Sequence, residues 1–211
     1  KVLAINPNSP EAYNNIGVAF QGLGNLEIAF KSFEKALTLK PDFVNALNNI
    51  GKACQYLGKS EEAIQYFNEA LSLDPDHADA HLNRCFIYLK TNKIREGLND
   101  FEWRWRSKEF KSKARIFSKP VWDGHKHLKG KTILIWGEQG PQDMIIWSSC
   151  LPYLKELSCH CILECSEKLL PLFSRSFPDV HVRVQNEDET NELNDFDFHL
   201  PMGSLFKYFM P

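Results

Sequence analysis

No stretch of this sequence approaches the roughly 18 consecutive apolar residues of a membrane-spanning helix, so none is expected. Lys1 to Asn6 lacks the long apolar segment and small-residue cleavage site of a secretory leader. A surplus of one charge is also missing. Lysine and arginine number 25 against 27 aspartate and glutamate, for a formal net charge of −2. Such a balance gives no global attraction to nucleic acid or to an anionic membrane. No phosphate-binding loop is present, because Gly137 to Gly140 lacks the Gly-Lys-Ser/Thr ending. The six cysteines (54, 85, 150, 159, 161 and 165) are not spaced as a disulfide framework. Cys159, Cys161 and Cys165 fall along a strand-like run and would share one face. Metal binding by Cys159, His160 and Cys161 is one reading, although strand neighbours point to opposite faces. Buried reduced thiols in a cytoplasmic protein are the simpler one, and no metal site is expected.

What is present, in the first half, is a period. Pro7, Pro41 and Pro75 are 34 residues apart, as are Asn15, Asn49 and Asn83, and Phe33, Phe67 and Phe101. Gly17 recurs as Gly51, Gly24 as Gly58, Ala29 as Ala63 and Ala36 as Ala70. Tyr13, Ile16, Gly17, Phe20, Ala29, Phe33, Ala36 and Pro41 form one set. Leu47, Ile50, Gly51, Cys54, Ala63, Phe67, Ala70 and Pro75 form the next. The pattern resembles the tetratricopeptide repeat, two antiparallel helices per unit that stack into a solenoid. Small residues such as Gly17 and Ala29 let each pair approach, and Phe33 and Phe67 fill the space between units. The Gly24-Asn25 and Gly58-Lys59 steps break the chain between helices, and Pro41 and Pro75 end each second helix.

The predicted units are 10–43, 44–77 and a degenerate 78–111. In the third, Arg84 replaces the isoleucine, and Gly97 and Arg104 replace the alanines. Residues 1–9, with Val2, Leu3 and Ile5, read as the tail of a preceding unit, so the chain is expected to be a piece of a longer array.

In this architecture the first helices line the concave side. Asn15, Asn49 and Asn83 then form a row of carboxamides, each both donor and acceptor, with Asn14 and Asn48 beside it. The row resembles the asparagine ladder of protein O-linked N-acetylglucosamine transferases, which implies a protein or peptide held in the groove. The alternative is that these amides pair with neighbouring backbone or with one another. Asparagine doublets are poor helix formers, and choosing them twice favours a contact role.

Phe101 to Lys119 is basic and aromatic. Single-stranded nucleic acid is one reading of such a run. The better one is that Trp103 and Trp105 seal the last helix against the following domain, with arginine and lysine stems laid along them. Residues 112–130 read as a linker, turn-rich at Pro120 to Gly124.

From residue 131 to 211 the pattern becomes strands alternating with helices. Strands are predicted over Lys131–Gly137, His160–Cys165, Val180–Val184 and Phe196–Leu200. Helices are predicted over Met144–Leu157, with Asp143 as N-cap, and Glu167–Phe177. That alternation implies a parallel, doubly wound, Rossmann-like sheet.

The order of short motifs is more specific: Trp103-Arg-Trp-Arg106, Pro120-x-Trp122-x-Gly124, Leu128-x-Gly130-Lys131-Thr132, Gly137-Glu138-Gln139-Gly140 with Asp143, Phe196-Asp197, and Pro201-Met202-x-Ser204-Leu205. It resembles bacterial repeat proteins with a glycosyltransferase-B-like region akin to heptosyltransferases. The resemblance implies that 131–211 is the acceptor-side first half of that fold. Glu138, Gln139 and Gly140 would form the acceptor loop, and Asp143 would be a candidate general base. Departures are evident. Gln142 stands where the family has glycine, Ser149-Cys150 where many members have Arg-Tyr, and a helix cap is the plainer role for Asp143. The donor half is not in the sequence, so no cofactor is expected here, and a nucleotide sugar is implied only for the full-length protein. Two functions follow: a fragment of a protein-directed glycosyltransferase, inactive alone, or a non-catalytic interaction scaffold capped by the α/β region.

Overall fold

A computed structural model describes residues 6–107, 110, 114–125, 127–186 and 193–210. The partial unit read at Val2, Leu3 and Ile5 lies outside these residues. The chain divides into two compact units, Lys1–Lys111 and Ser112–Pro211.

The first unit is three helical hairpins. They are α1 (Pro10–Gly22) with α2 (Leu26–Leu39), α3 (Val44–Tyr56) with α4 (Ser60–Leu73), and α5 (Ala78–Lys90) with α6 (Ile94–Phe101), followed by a 3-10 turn over Glu102–Arg106. Ser9 caps α1 by accepting from Ala12 N at 3.1 Å. The turns between paired helices need a left-handed residue. Gly24 and Gly58 both have φ of +77°, and Asn92, 34 residues on, takes the same role at φ 61°. A Cβ at Gly17 would lie 2.4 Å from Phe33 Cε1, and one at Gly51 2.6 Å from Phe67 Cε1. The glycines are therefore the sockets of the phenylalanines. Phe33 then packs with Ala29, Ile50 and Ala53, so it joins its own hairpin to the next. Phe67 does the same with Leu47, Ala80 and Ile87.

The third hairpin departs as its sequence implies. Its second helix has 8 residues where the others have 14. Arg104, at the position of Ala36 and Ala70, is fully buried. It lies over the rings of Phe101 (4.1 Å) and Trp105 (4.6 Å) and donates to Phe101 O and Glu102 Oε1. A guanidinium cannot fit where an alanine methyl sat, and the helix gives way to the 3-10 turn.

The second unit is a four-stranded, wholly parallel sheet in the order β3-β2-β1-β4. Its strands are β1 (Thr132–Trp136), β2 (His160–Cys165), β3 (His181–Val184) and β4 (Phe198–Pro201). Its helices are α7 (Pro141–Trp147), α8 (Leu151–Glu156), α9 (Leu170–Ser176) and α10 (Leu205–Phe209). Ile133 to Trp136 are all buried, as expected of a central parallel strand covered on both faces.

Several expectations need correction. The single helix over 144–157 is two helices joined by a 3-10 turn at Ser148–Cys150. Pro152 has no N–H to give Ser148 O, and the Ser148 and Ser149 hydroxyls bond back to Ile145 O and Ile146 O. Asp143 is not the N-cap. Pro141, with its preset φ, takes the first turn, Gly140 is the cap, and Asp143 sits inside the helix. The helix over 167–177 begins at Leu170 for the same reason, with Pro171 in its first turn. Nor is 112–130 simply a linker. Trp122 and Leu128 are buried, Val121 bridges His199, and Trp122 N donates to His199 O at 2.9 Å.

Candidate functional site

In the repeat unit, each first helix touches the next first helix (α1 with α3, α3 with α5), whereas successive second helices make less contact. The array therefore curves with α1, α3 and α5 on its inner side. The two asparagines of each doublet have different roles there. Asn49 Nδ2 donates to Asn14 Oδ1, and Asn83 Nδ2 donates to Asn48 Oδ1, both at 2.9 Å. Asn14 and Asn48 are the buried members of these pairs, at 8% and 7% exposure, and they tie neighbouring hairpins together. Asn15, in the first hairpin, is exposed. Of the two readings of the row, pairing with one another is thus realised in part. The Oδ1 atoms of Asn49 and Asn83 make no hydrogen bond among the described residues.

A depression of about 390 Å³ lies over this row, lined by Asn48, Asn49, Asn83, Lys52, Asp79 and Phe86 among others. Phe86 is 54% exposed. Lys52 and Asp79 form no ion pair among the described residues. Reading the amide row missed these three side chains. The signal was available, since Lys52 and Phe86 repeat the 34-residue spacing from Val18, one turn beyond each asparagine.

A polar clasp holds the last hairpin. Arg84 grips Asp100 through Nε at 2.7 Å and Nη2 at 2.9 Å, and reaches Asn68 Oδ1 through Nη1. His81 Nδ1 meets Asp100 Oδ1 at 2.7 Å, and the His81 ring stacks on Trp103 at 4.0 Å with the planes 6° apart. Burial pushes the Asp100 carboxyl up, but hydrogen bonds from Arg84 and His81 outweigh it and hold the group below its usual range. Trp103 thus packs on a repeat helix, and Arg106 lies over it.

In the α/β unit, strands are added outward from β1 to β2 to β3, and β4 then joins the opposite side of β1. The β1–β4 seam is where the order reverses, the usual place for a ligand crevice at strand carboxyl ends. Glu138, just beyond β1, is buried and accepts from Gly203 N, just beyond β4, at 2.7 Å. A small crevice of about 250 Å³ at the ends of β1, β2 and β3 is lined by Gly137, Glu138, Gln139, Pro141, Met144, Ser166 and Gln185. Of the proposed acceptor loop, Glu138 and Gln139 line it. Gly140, the third residue of that loop, does not, and neither does Asp143, the candidate general base.

Internal ion pairs and hydrogen bonds occupy other charged groups at both ends of the sheet. Glu164, buried at the end of β2, pairs with both Arg115 and Arg183, and Arg183 also pairs with Asp195. Asp197 accepts from Thr132 N at 2.9 Å and from Lys131 Nζ at 3.2 Å, and the first of these chiefly holds its carboxyl below the usual range. His199 takes Trp136 Nε1–H on its Nδ1 at 3.3 Å, and burial lowers its pKa to about 4, so it stands neutral.

All six cysteines are free thiols. Burial raises Cys85 to about 12 and Cys150 and Cys165 to about 11, which keeps them protonated at neutral pH. Cys159 Sγ–H donates to Leu154 O at 3.2 Å. Among the described residues no group of three or more His, Cys, Asp or Glu is placed to hold a metal ion. No helix among them is long and apolar enough to cross a membrane.

Comparison with known proteins supports the repeats. Residues 10–43 and 44–77 match the tetratricopeptide repeat model, so the chain carries tetratricopeptide repeats in its first half. No curated protein matches the chain. Similar solved structures include MamA, at 22% identity with a TM-score of 0.46, covering 51% of this chain and 63% of that one. A second MamA structure is 20% identical with a TM-score of 0.44, covering 54% and 62%. The chain thus spans less than two thirds of the MamA chains that it matches. The second repeat domain of Spaghetti (RPAP3), solved bound to the HSP90 peptide SRMEEVD, is 22% identical with a TM-score of 0.44, covering 45% of this chain and 88% of that one.

Proposed function

We propose that this protein is an interaction module that holds an extended segment of a partner protein along the inner face of its repeats. One observation carries the reading. Asn49 and Asn83 both line the depression, each is fixed by one donated hydrogen bond to the preceding first helix, and the acceptor oxygen of each makes no hydrogen bond among the described residues. An amide held in one orientation loses little entropy on pairing with peptide backbone, and it does so whatever the peptide side chains. The thiols suit a reducing, cytoplasmic setting. Retention of random, end-capped heptapeptides by the immobilised chain is the test, with Asn49→Ala/Asn83→Ala as control. Retention should drop roughly tenfold at unchanged helical circular dichroism, the worth of one or two hydrogen bonds. Undiminished retention by the folded double variant would refute the amide reading.

A second reading concerns the α/β unit: the acceptor-side half of a glycosyltransferase-B-like enzyme whose protein acceptor is held by the repeats. The Glu138 to Gly203 bond at the reversal of strand order, beside a polar crevice, supports it. In that reading a nucleotide sugar is bound by a further half, and Asp143 would have to turn toward the crevice to deprotonate an acceptor. Incubating a full-length protein containing this chain with radiolabelled nucleotide sugars tests it, with Asp143→Asn as control. Transfer abolished in the variant is expected. Full activity there would remove Asp143 from the mechanism.

A further inference from the structure

Three rows run across the inner face at 34-residue spacing: Glu11, Asn45 and Asp79; Asn15, Asn49 and Asn83; and Val18, Lys52 and Phe86. The first row is acidic at both ends with an amide between, the second is uniform, and the third runs from apolar to cationic to aromatic along the groove. Val18 is 47% and Phe86 54% exposed, and Lys52 has no carboxylate partner among the described residues. The Asn14–Asn49 and Asn48–Asn83 bonds have the same partners and the same length, 2.9 Å. Successive first helices are therefore stepped alike, and the third row is in register with the amide row.

Neighbouring packed helices lie about 8–10 Å apart. One turn of polyproline-II backbone advances about 9.3 Å in three residues, and its N–H and C=O groups are all unpaired. The two spacings coincide. A segment in that conformation presents every third side chain to successive members of the third row while its backbone meets the asparagines. An alternating β-strand would turn residues i and i+3 to opposite sides and lose this register.

Resting on the groove-binding reading above, we infer that the partner segment is extended in the polyproline-II manner and carries apolar, acidic and apolar residues at positions i, i+3 and i+6. Its carboxylate is read by Lys52, and its outer side chains by Val18 and Phe86, in one chain direction or the other. Lys52 is the specificity-determining residue, because it is the only cation in the row and lies at its centre.

The probe is a set of end-capped heptapeptide libraries of the form Leu-x-x-Z-x-x-Leu, with Z fixed as Glu, Ala or Lys and x drawn from Pro, Ala and Ser. Retention on the full chain should rank Glu above Ala above Lys, with roughly fivefold between the extremes, as an exposed charge pair allows. On Lys52→Glu the order should invert. Equal retention of the three libraries, or an order unchanged by Lys52→Glu, would overturn the inference while leaving the groove as a binding site. Retention of none, by a chain whose circular dichroism is intact, would overturn both.

Discussion

Arg84 and Asp100 form a two-point ion pair, 2.7 and 2.9 Å, at the position where the preceding repeat has Ile50 and Tyr66 packed in its apolar core. The same slot in the same fold is filled by charge in one hairpin and by hydrocarbon in the next. Arg84→Ile alone should leave Asp100, 5% exposed, without its main partner and cost about 3 kcal/mol. Arg84→Ile/Asp100→Tyr should recover most of that loss by restoring the apolar pair. Urea unfolding of the two variants is the check, and a double variant no better than the single would contradict it.

The same pair sets an acid limit. Asp100 is held below its ordinary carboxyl range in the folded state. Its contribution is complete above the unfolded value of about 4 and is lost as pH falls through the lower folded value. Midpoints of urea unfolding at pH 5 and pH 3 should differ less in Arg84→Ile/Asp100→Tyr than in the natural chain.

His199 predicts a second, higher window in the α/β unit. Its folded pKa is near 4 against an ordinary 6.5. Between these values the unfolded chain binds the proton and the folded one does not, so stability falls as pH drops from about 6.5 to about 4. Linkage caps the loss at about 3 kcal/mol. His199→Gln can still accept from Trp136 Nε1 and does not titrate. Hydrogen exchange of the β1 amides should show a flatter pH dependence in that variant.

Glycines in the repeats should respond in opposite directions. Gly51→Ala drives a methyl into the Phe67 ring and should cost about 1–3 kcal/mol through overpacking. Gly22, at the end of α1, has nothing within 4 Å of a built Cβ, and Gly22→Ala should stabilise by up to about 1 kcal/mol. Thermal unfolding of each variant distinguishes the two.

Removing one inter-hairpin amide bond is a milder change. Asn83→Ala leaves the buried Asn48 Oδ1 without its partner and should cost about 1 kcal/mol, with Asn48→Ala/Asn83→Ala less than additive. Strict additivity, measured by chemical denaturation, would show that the bond contributes nothing.

The 34-residue spacing by itself determined the paired helices, the glycine and phenylalanine contacts and the turn residues. Each of those depends on interactions within about one repeat, and every repeat restates them. The strands of the second half were legible for a similar reason, because buried parallel strands are short apolar runs. Helix ends there were less so: Pro141, Pro152 and Pro171 could be seen, but whether each opened or interrupted a helix depended on which backbone groups lay nearby. Only the tertiary structure decided that the first asparagine of each doublet is buried and accepts from the next hairpin while Asn49 donates back to the one before, since Asn14 and Asn48 are chemically the same as Asn15 and Asn49. It also decided that Glu138 meets the Gly203 amide, 65 residues away in sequence, where the order of strands reverses. A carboxylate and an amide that far apart carry no mutual signal in the chain, and only the folding of β4 against β1 brings them together.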